Sequence, residues 1–168
     1  KHSSFSRWED LQQKYAGNAM PEVEIAAIDD VLILYTSGST GRPKGVVSSN
    51  LAIISALLSW EIALMAWVLV RGEVPEQPQH QPGGLLAVPL FHATGCHAIF
   101  LAAFRAQTKL VLMRKWNPQL AAQLIDKEKL SSFTAPSAMT ADLIHHAKQG
   151  GNDLSSLVMV GGGGAARA

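Results

Sequence analysis

The feature that most constrains this chain is a recurrence. Short strand-like runs at 31–35, 85–88, 109–113, 131–134 and 157–160 are separated by stretches with helical patterning or turn residues. Runs of four or five residues are too short for buried helices and suit strands covered on both faces. Strands that alternate with helices predict a parallel sheet, so the expected fold class is α/β, a layered sheet with flanking helices. Phe5, Trp8, Leu11 and Tyr15 fall near helical spacing and predict a short helix, followed by a linker at Gly17–Pro21. Further helices are expected from about Ser49 or Asn50, over Cys96–Ala106 and over Ser137–Lys148. Another opens at Asn117, an N-cap followed by Pro118, with Leu120, Leu124 and Ile125 as its apolar face. The proline-rich stretch Glu73–Gly84 reads as a surface connection, and no internal repeat is present.

With 168 residues and 48% of them apolar, the chain is expected to form one domain with a real core. A formal net charge of +1, with its cations scattered, gives no footprint for nucleic acid and favours small-molecule partners. Cys96 is the single cysteine, which excludes an internal disulfide framework and agrees with a reducing compartment; the expected localisation is cytoplasmic. Lys1–Trp8 has no signal-peptide core and no initiator Met, and Gly161–Ala168 is a glycine turn where a further element should follow. Both ends therefore read as cut. Leu51–Val70 is long enough to cross a bilayer, but Glu61 near its middle, with Ser55 and Ser59, argues against a span. A buried or interfacial helix is expected there, which leaves room for peripheral membrane contact.

Between Thr36 and Gly45 stand three glycines (Gly38, Gly41, Gly45), four hydroxyls (Thr36, Ser37, Ser39, Thr40) and two cations (Arg42, Lys44). Glycines let backbone N–H groups approach phosphate oxygens, hydroxyls add hydrogen bonds, and Lys44 supplies a mobile point charge. The segment is not a Walker A loop, since Lys44 follows Pro43 instead of a loop glycine. Nor is it a hydrolase elbow around Ser39, because Ser37 stands where glycine is needed. A flexible Gly/Ser linker would not follow an apolar strand or carry Pro-Lys-Gly. Phosphate binding is the favoured reading, in a strand, loop, helix order.

The run Tyr35-Thr36-Ser37-Gly38-Ser39-Thr40-Gly41-Arg42-Pro43-Lys44-Gly45 resembles the signature loop of the adenylate-forming (AMP-binding) superfamily, of the acyl-CoA synthetase type. Pro89–Gly95 resembles its second motif, whose aromatic or His residue lines the acyl pocket, and Gly162–Ala166 resembles its adenine-side turn. The resemblance covers about Asp29 to the end. It implies that residues 1–168 are a partial N-terminal AMP-binding domain and that the intact protein is an ATP-dependent ligase. Such an enzyme activates a carboxylic acid as an acyl-adenylate and transfers the acyl group to coenzyme A. ATP with Mg²⁺, coenzyme A and the acid are the implied partners, with a fatty acid expected and an aromatic one the alternative.

By the same resemblance Thr36, Ser37, Gly38, Ser39, Thr40, Gly41 and Lys44 hold the β- and γ-phosphates, with Lys44 and Thr40 as the catalytic residues. Gly163, Gly164 and Ala165 lie on the adenine side, and His92 and Gly95 in the acyl pocket. No metal ligand is assigned. Two positions depart from the family pattern: Ser48-Ser49-Asn50 replaces a Thr-His or Ser-His pair, and Gln107 stands where a glycine is common. The family's Mg²⁺-assisting Glu, ribose-binding Asp, hinge and C-terminal Lys would fall after Ala168, so these residues alone are not expected to complete the reaction.

Other residues have plainer readings. His92, Cys96 and His97 lack the further ligand pair that a closed zinc site needs. Cys96 and His97 are expected to pack, His145 and His146 to lie on a solvated helix face, and Trp60, Trp67, Phe100 and Phe104 to serve as core or interface aromatics. Gly161, Gly163 and Ala166 fit G-x-G-x-x-A, which keeps a Rossmann-type oxidoreductase as an alternative, beside a non-catalytic nucleotide-binding fragment.

Overall fold

The computed structural model describes residues 6–37, 41–72 and 78–162. Its elements run α1 (Trp8–Tyr15), β1 (Asp30–Thr36), β2 (Lys44–Ser49), α2 (Asn50–Arg71), β3 (Gly83–Leu86), a π-helix (Thr94–Leu101), α3 (Ala102–Ala106), β4 (Lys109–Leu112), α4 (Pro118–Glu128), β5 (Ser132–Ala135), α5 (Ser137–Gly150) and β6 (Met159–Gly162). The last four strands form one parallel sheet in the order β4-β3-β5-β6, as the alternation predicted.

Its core is small and dense. Leu85, Ala121, Ala122, Ile125, Leu130, Phe133, Ala135, Leu143 and Ala147 are buried together. Each of the large ones is worth about 1.5–3 kcal/mol by area alone. Trp116 stacks on Phe133 with ring centroids 5.9 Å apart, and its indole N–H donates to Asp142 Oδ2 at 3.3 Å. Asn117 accepts the Leu120 N–H at 3.0 Å, which is the expected cap. The buried face of α4 is Ala121, Ala122 and Ile125, while Leu120 is 43% exposed and Leu124 only half-buried. Ile125 and Leu124 face the core as expected, Leu120 does not, and the small Ala121 and Ala122 complete the face by letting the helix sit close on the sheet.

Gly83 and Gly84 are not the end of a surface connection. They open the central strand and are buried, and residues 73–77 of the expected connection lie outside the described ones. A Cβ on Gly83 would sit 3.0 Å from both the Cβ and the carbonyl oxygen of Lys109, and one on Gly84 would sit 2.9 Å from Ser132 Oγ. Ser131 Oγ accepts the Gly83 N–H at 3.0 Å and donates to the Gly83 carbonyl at 3.2 Å. The neighbouring strands thus close on a backbone without side chains.

The first two strands differ from expectation more strongly. β1 is mostly exposed instead of buried, and it pairs antiparallel with β2, a strand that the sequence reading had merged into the lead to the helix. The order is strand, loop, strand, helix, because the segment Lys44–Ser49 folds back on β1. Ser49 ends β2 and caps α2, accepting the Ala52 N–H at 3.3 Å.

α2 is long and apolar enough to cross a membrane, with mean hydropathy 2.1, yet only Ile53 and Leu57 are buried. Of the two expected alternatives, a buried or an interfacial helix, the buried one fails among the described residues. Glu61 accepts two bonds from Arg105, 2.6 Å from Nε and 3.0 Å from Nη2. Those bonds hold the Glu61 carboxyl below its usual range and the guanidinium above its own. Trp60, Trp67, Phe100 and Phe104 are all exposed, so none is a core aromatic.

Replacing Gly83 by Ala is expected to cost about 1–3 kcal/mol, since the intruding methyl meets backbone that cannot turn away. Urea unfolding of the Gly83→Ala chain should show a lower midpoint at unchanged slope. An unchanged midpoint would mean that β3 and β4 can part without loss.

Candidate functional site

The hairpin brings part of the expected phosphate loop together. Thr36 and Lys44 are paired residues at the turn end of β1 and β2, with Tyr35 opposite Gly45 one step further in. A Cβ on Gly45 would lie 3.0 Å from Ile33 Cγ2 and 3.4 Å from the Tyr35 ring, so the glycine is fixed by a close approach. Gly41 holds φ +77° in open space, the left-handed backbone that glycine favours. Thr36, Ser37, Gly41 and Lys44 are exposed, and neither Arg42 nor Lys44 has an ion-pair partner among the described residues. Two unpaired cations beside hydroxyls are what a polyanion requires. Gly38, Ser39 and Thr40 lie outside the described residues.

A second locus is set by the order of the parallel strands. The chain steps from β3 to β4 on one side, then crosses back over β3 to β5, so the direction of winding reverses between β3 and β5. With right-handed crossovers the π-helix and α3 fall on one face, and α4 and α5 on the other. Ligands of such sheets bind beyond the carboxyl ends of the strands at that switch. Pro89–Gly95 follows β3 there, and Ala135–Pro136 leads β5 into α5 beside it. β6 ends at Gly162 on the same edge, whereas Gly163, Gly164 and Ala165 lie outside the described residues. Spacing alone could not reveal this edge, because it depends on which strand lies beside which.

Within the turn, His92 is exposed and its Nδ1 accepts the Thr94 N–H at 3.2 Å, which leaves Nε2 to carry the ring N–H. Gly95 is buried, and a Cβ there would sit 2.2 Å from the Pro89 carbonyl oxygen. Gly95 therefore shapes the turn through backbone packing. The helix in which Gly95 lies is a π-helix where an ordinary helix was expected, and the Ala102 N–H reaches back to the His97 carbonyl. Cys96 and His97 are half-buried, in keeping with packing roles, and His97 Nδ1 has no hydrogen-bond partner among the described residues. Burial raises the Cys96 thiol above its ordinary value. His145 is exposed, but His146 packs edge-on against it with its own Nδ1 buried, so that face is only partly solvated.

Gln107, one of the two departures from the resembled family's pattern, closes α3 with φ +53°. It occupies a left-handed position that glycine adopts without strain, which explains glycine as the common residue there.

The fold has counterparts among solved structures. The N-terminal domain of FACL13 from Mycobacterium tuberculosis superposes with a TM-score of 0.72 at 24% identity, covering 93% of this chain and 36% of that one. O-succinylbenzoate coenzyme A synthetase from Bacillus subtilis, in complex with the acyl-adenylate intermediate OSB-AMP, gives 0.69 at 23% identity, covering 98% and 42%. The fold is that of the N-terminal domains of adenylate-forming enzymes.

The chain belongs to the AMP-binding enzyme family, whose profile matches residues 2–168. It is 30% identical to 4-coumarate–CoA ligase 5 of Oryza sativa subsp. japonica over 151 residues, 89% of this chain and 26% of the relative. It is also 30% identical to the chloroplastic/peroxisomal 2-succinylbenzoate–CoA ligase of Arabidopsis thaliana over 166 residues, 96% of this chain and 27% of the relative. The chain thus spans about a quarter of the length of these curated relatives. With that membership the dinucleotide reading of Gly161, Gly163 and Ala166 lapses.

Because only thiolate is alkylated, the raised Cys96 thiol should react with iodoacetamide more slowly than free cysteine at pH 8. Its rate profile should rise at higher pH than that of the free amino acid. A midpoint at or below the free value would show that the thiol is not desolvated.

Proposed function

We propose that this chain is the phosphate-loop and acyl-turn portion of an ATP-dependent acid–thiol ligase. That enzyme joins a carboxylic acid to AMP and then passes the acyl group to coenzyme A. The observation that carries the reading is the hairpin turn, where Arg42 and Lys44 stand without ion-pair partners among the described residues, beside Thr36 and Ser37. Membership of the AMP-binding family supports the nucleotide, and the names of the relatives support coenzyme A. The B. subtilis synthetase has also been solved with ATP and a magnesium ion.

In this reading a carboxylate oxygen attacks the α-phosphorus of ATP, and the bond to the pyrophosphate oxygen breaks. A thiolate then attacks the acyl carbon and AMP leaves with its oxygen. Both partners of the first step are anions, so the barrier is dominated by repulsion and alignment. Lys44 and Arg42 offset charge on the β- and γ-phosphates. Thr36 and Ser37 hydroxyls and the Gly41 backbone hold those oxygens in place. His92, with Nε2 carrying the ring N–H, faces the acid, while Gly95 keeps the turn tight. Among the described residues no three His, Cys, Asp or Glu side chains form a metal cluster.

The acid is apolar in this proposal. A fatty acid was the expectation, and relatives named for 4-coumarate and 2-succinylbenzoate extend it to aromatic acids. The cytoplasm is the proposed compartment, and the 168 residues alone are proposed to be inactive.

Carboxylate-dependent pyrophosphate exchange tests the reading on the product of the full reading frame, with a panel of fatty and aromatic acids. Lys44→Ala should lower kcat/KM by roughly 10²–10³-fold, the size seen when one preorganised donor to developing charge is lost. Exchange by residues 1–168 alone would contradict the proposed incompleteness. No exchange with any acid would contradict the ligase reading itself.

A further inference from the structure

The phosphate hairpin is not part of the parallel sheet, so something must fix the distance between the two loci. β2 ends at Ser49 and α2 begins at Asn50, which leaves no hinge residue between them. The start of α2 is tied down further: Asn50 and Leu51 donate their N–H groups to the Asp29 and Ala27 carbonyls at 2.9 and 2.7 Å. The hairpin therefore moves with α2. That helix packs against β2 at one side and against the π-helix at the other, and the π-helix carries the Pro89–Gly95 turn.

The inward face of α2 is defined by Ile53 and Leu57, which are buried outside the main core cluster. Residues spaced by four share a helix face, so the next position on it is 61. An apolar residue would be the simple continuation in a helix otherwise free of charge until Arg71. Glu61 stands there instead, half-buried, and takes a two-pronged grip on Arg105 of α3, 44 residues away, at 2.6 and 3.0 Å. Apolar contact fixes proximity but tolerates sliding, whereas a fork-to-carboxylate pair fixes direction as well. We propose that Glu61 and Arg105 are positioning residues, a latch that sets the phosphate hairpin in register with the acyl turn. A lone surface ion pair adds little stability, so the role is one of alignment more than of folding.

Two readouts separate this proposal from the ligase reading on which its catalytic consequence rests. The first is independent of activity. Spin labels at Val47→Cys on the hairpin and Gln119→Cys on α4, in an otherwise cysteine-free product of the full reading frame, report the distance between the two units. The distribution should be narrow with the latch intact, and broad in Glu61→Gln and Arg105→Gln. It should narrow again in the charge swap Glu61→Arg with Arg105→Glu. Arg105→Lys, which keeps the charge and loses the fork, should fall between, and it serves as the second variant where Gln at either position prevents folding. A distribution unchanged by loss of either partner overturns the latch, whatever the protein catalyses. The second readout is pyrophosphate exchange by the product of the full reading frame. Misalignment should lower kcat by on the order of tenfold to a hundredfold with KM for ATP little changed, and the swap should regain most of it. Broadened distances with unchanged kcat would overturn the catalytic part of the proposal.

Discussion

The contact on which the parallel sheet depends is the approach of β4 and β5 to the bare backbone of Gly83 and Gly84. The Gly83 carbonyl accepts the Ser131 N–H at 2.9 Å and hydroxyl bonds from Ser131 and Ser132, each at 3.2 Å. Lys109 donates its N–H to the Pro82 carbonyl at 2.8 Å on the other flank. These bonds fix β3 as the central strand and so fix the order β4-β3-β5-β6. That order creates the reversal of winding between β3 and β5, where the acyl turn and the start of α5 emerge together. A backbone contact at one end of a strand thus determines where a pocket can open at the other.

The hairpin follows a different logic. It has no second layer on both faces, and it is placed by α2, whose inward side buries little besides Ile53 and Leu57. Among the described residues its turn keeps two cations free of carboxylates, although elsewhere Glu61 holds Arg105, Glu128 holds Lys109, and Asp126 and Asp153 share Lys129. Lys129 hydrogen bonds first, and the Asp153 N–H next, hold the Asp126 carboxyl low, so that charge is satisfied far from the loop. Charge is committed in the framework and left open at the turn, which suits a surface meant to receive an anion.

How much of this was legible in the sequence follows from which forces are local. The α4 cap at Asn117 and the parallel alternation are set by neighbours in the chain, and both were readable. β2 was missed because Lys44–Ser49 carries few apolar residues, and its pairing with β1 depends on a turn of several residues. Gly83 and Gly84 looked like linker because proline and glycine usually punctuate loops; only the approach of Lys109 and Ser132 shows why glycine is needed. Glu61 looked like a charge that argues against a membrane span. Its partner is 44 residues away, and no periodicity points to Arg105. For the site, the chemistry of the loop was plain from composition, while its division between a hairpin and a sheet edge required the topology.

The central claim is that the turn from Thr36 to Gly45 receives the phosphates of a nucleotide. Hydrogen–deuterium exchange on the product of the full reading frame, with and without ATP, tests it most directly. The account predicts slower exchange at the amides of residues 36–45 when ATP is present, with a lesser change in the turn from 89 to 95. Protection elsewhere with residues 36–45 unaltered would contradict it.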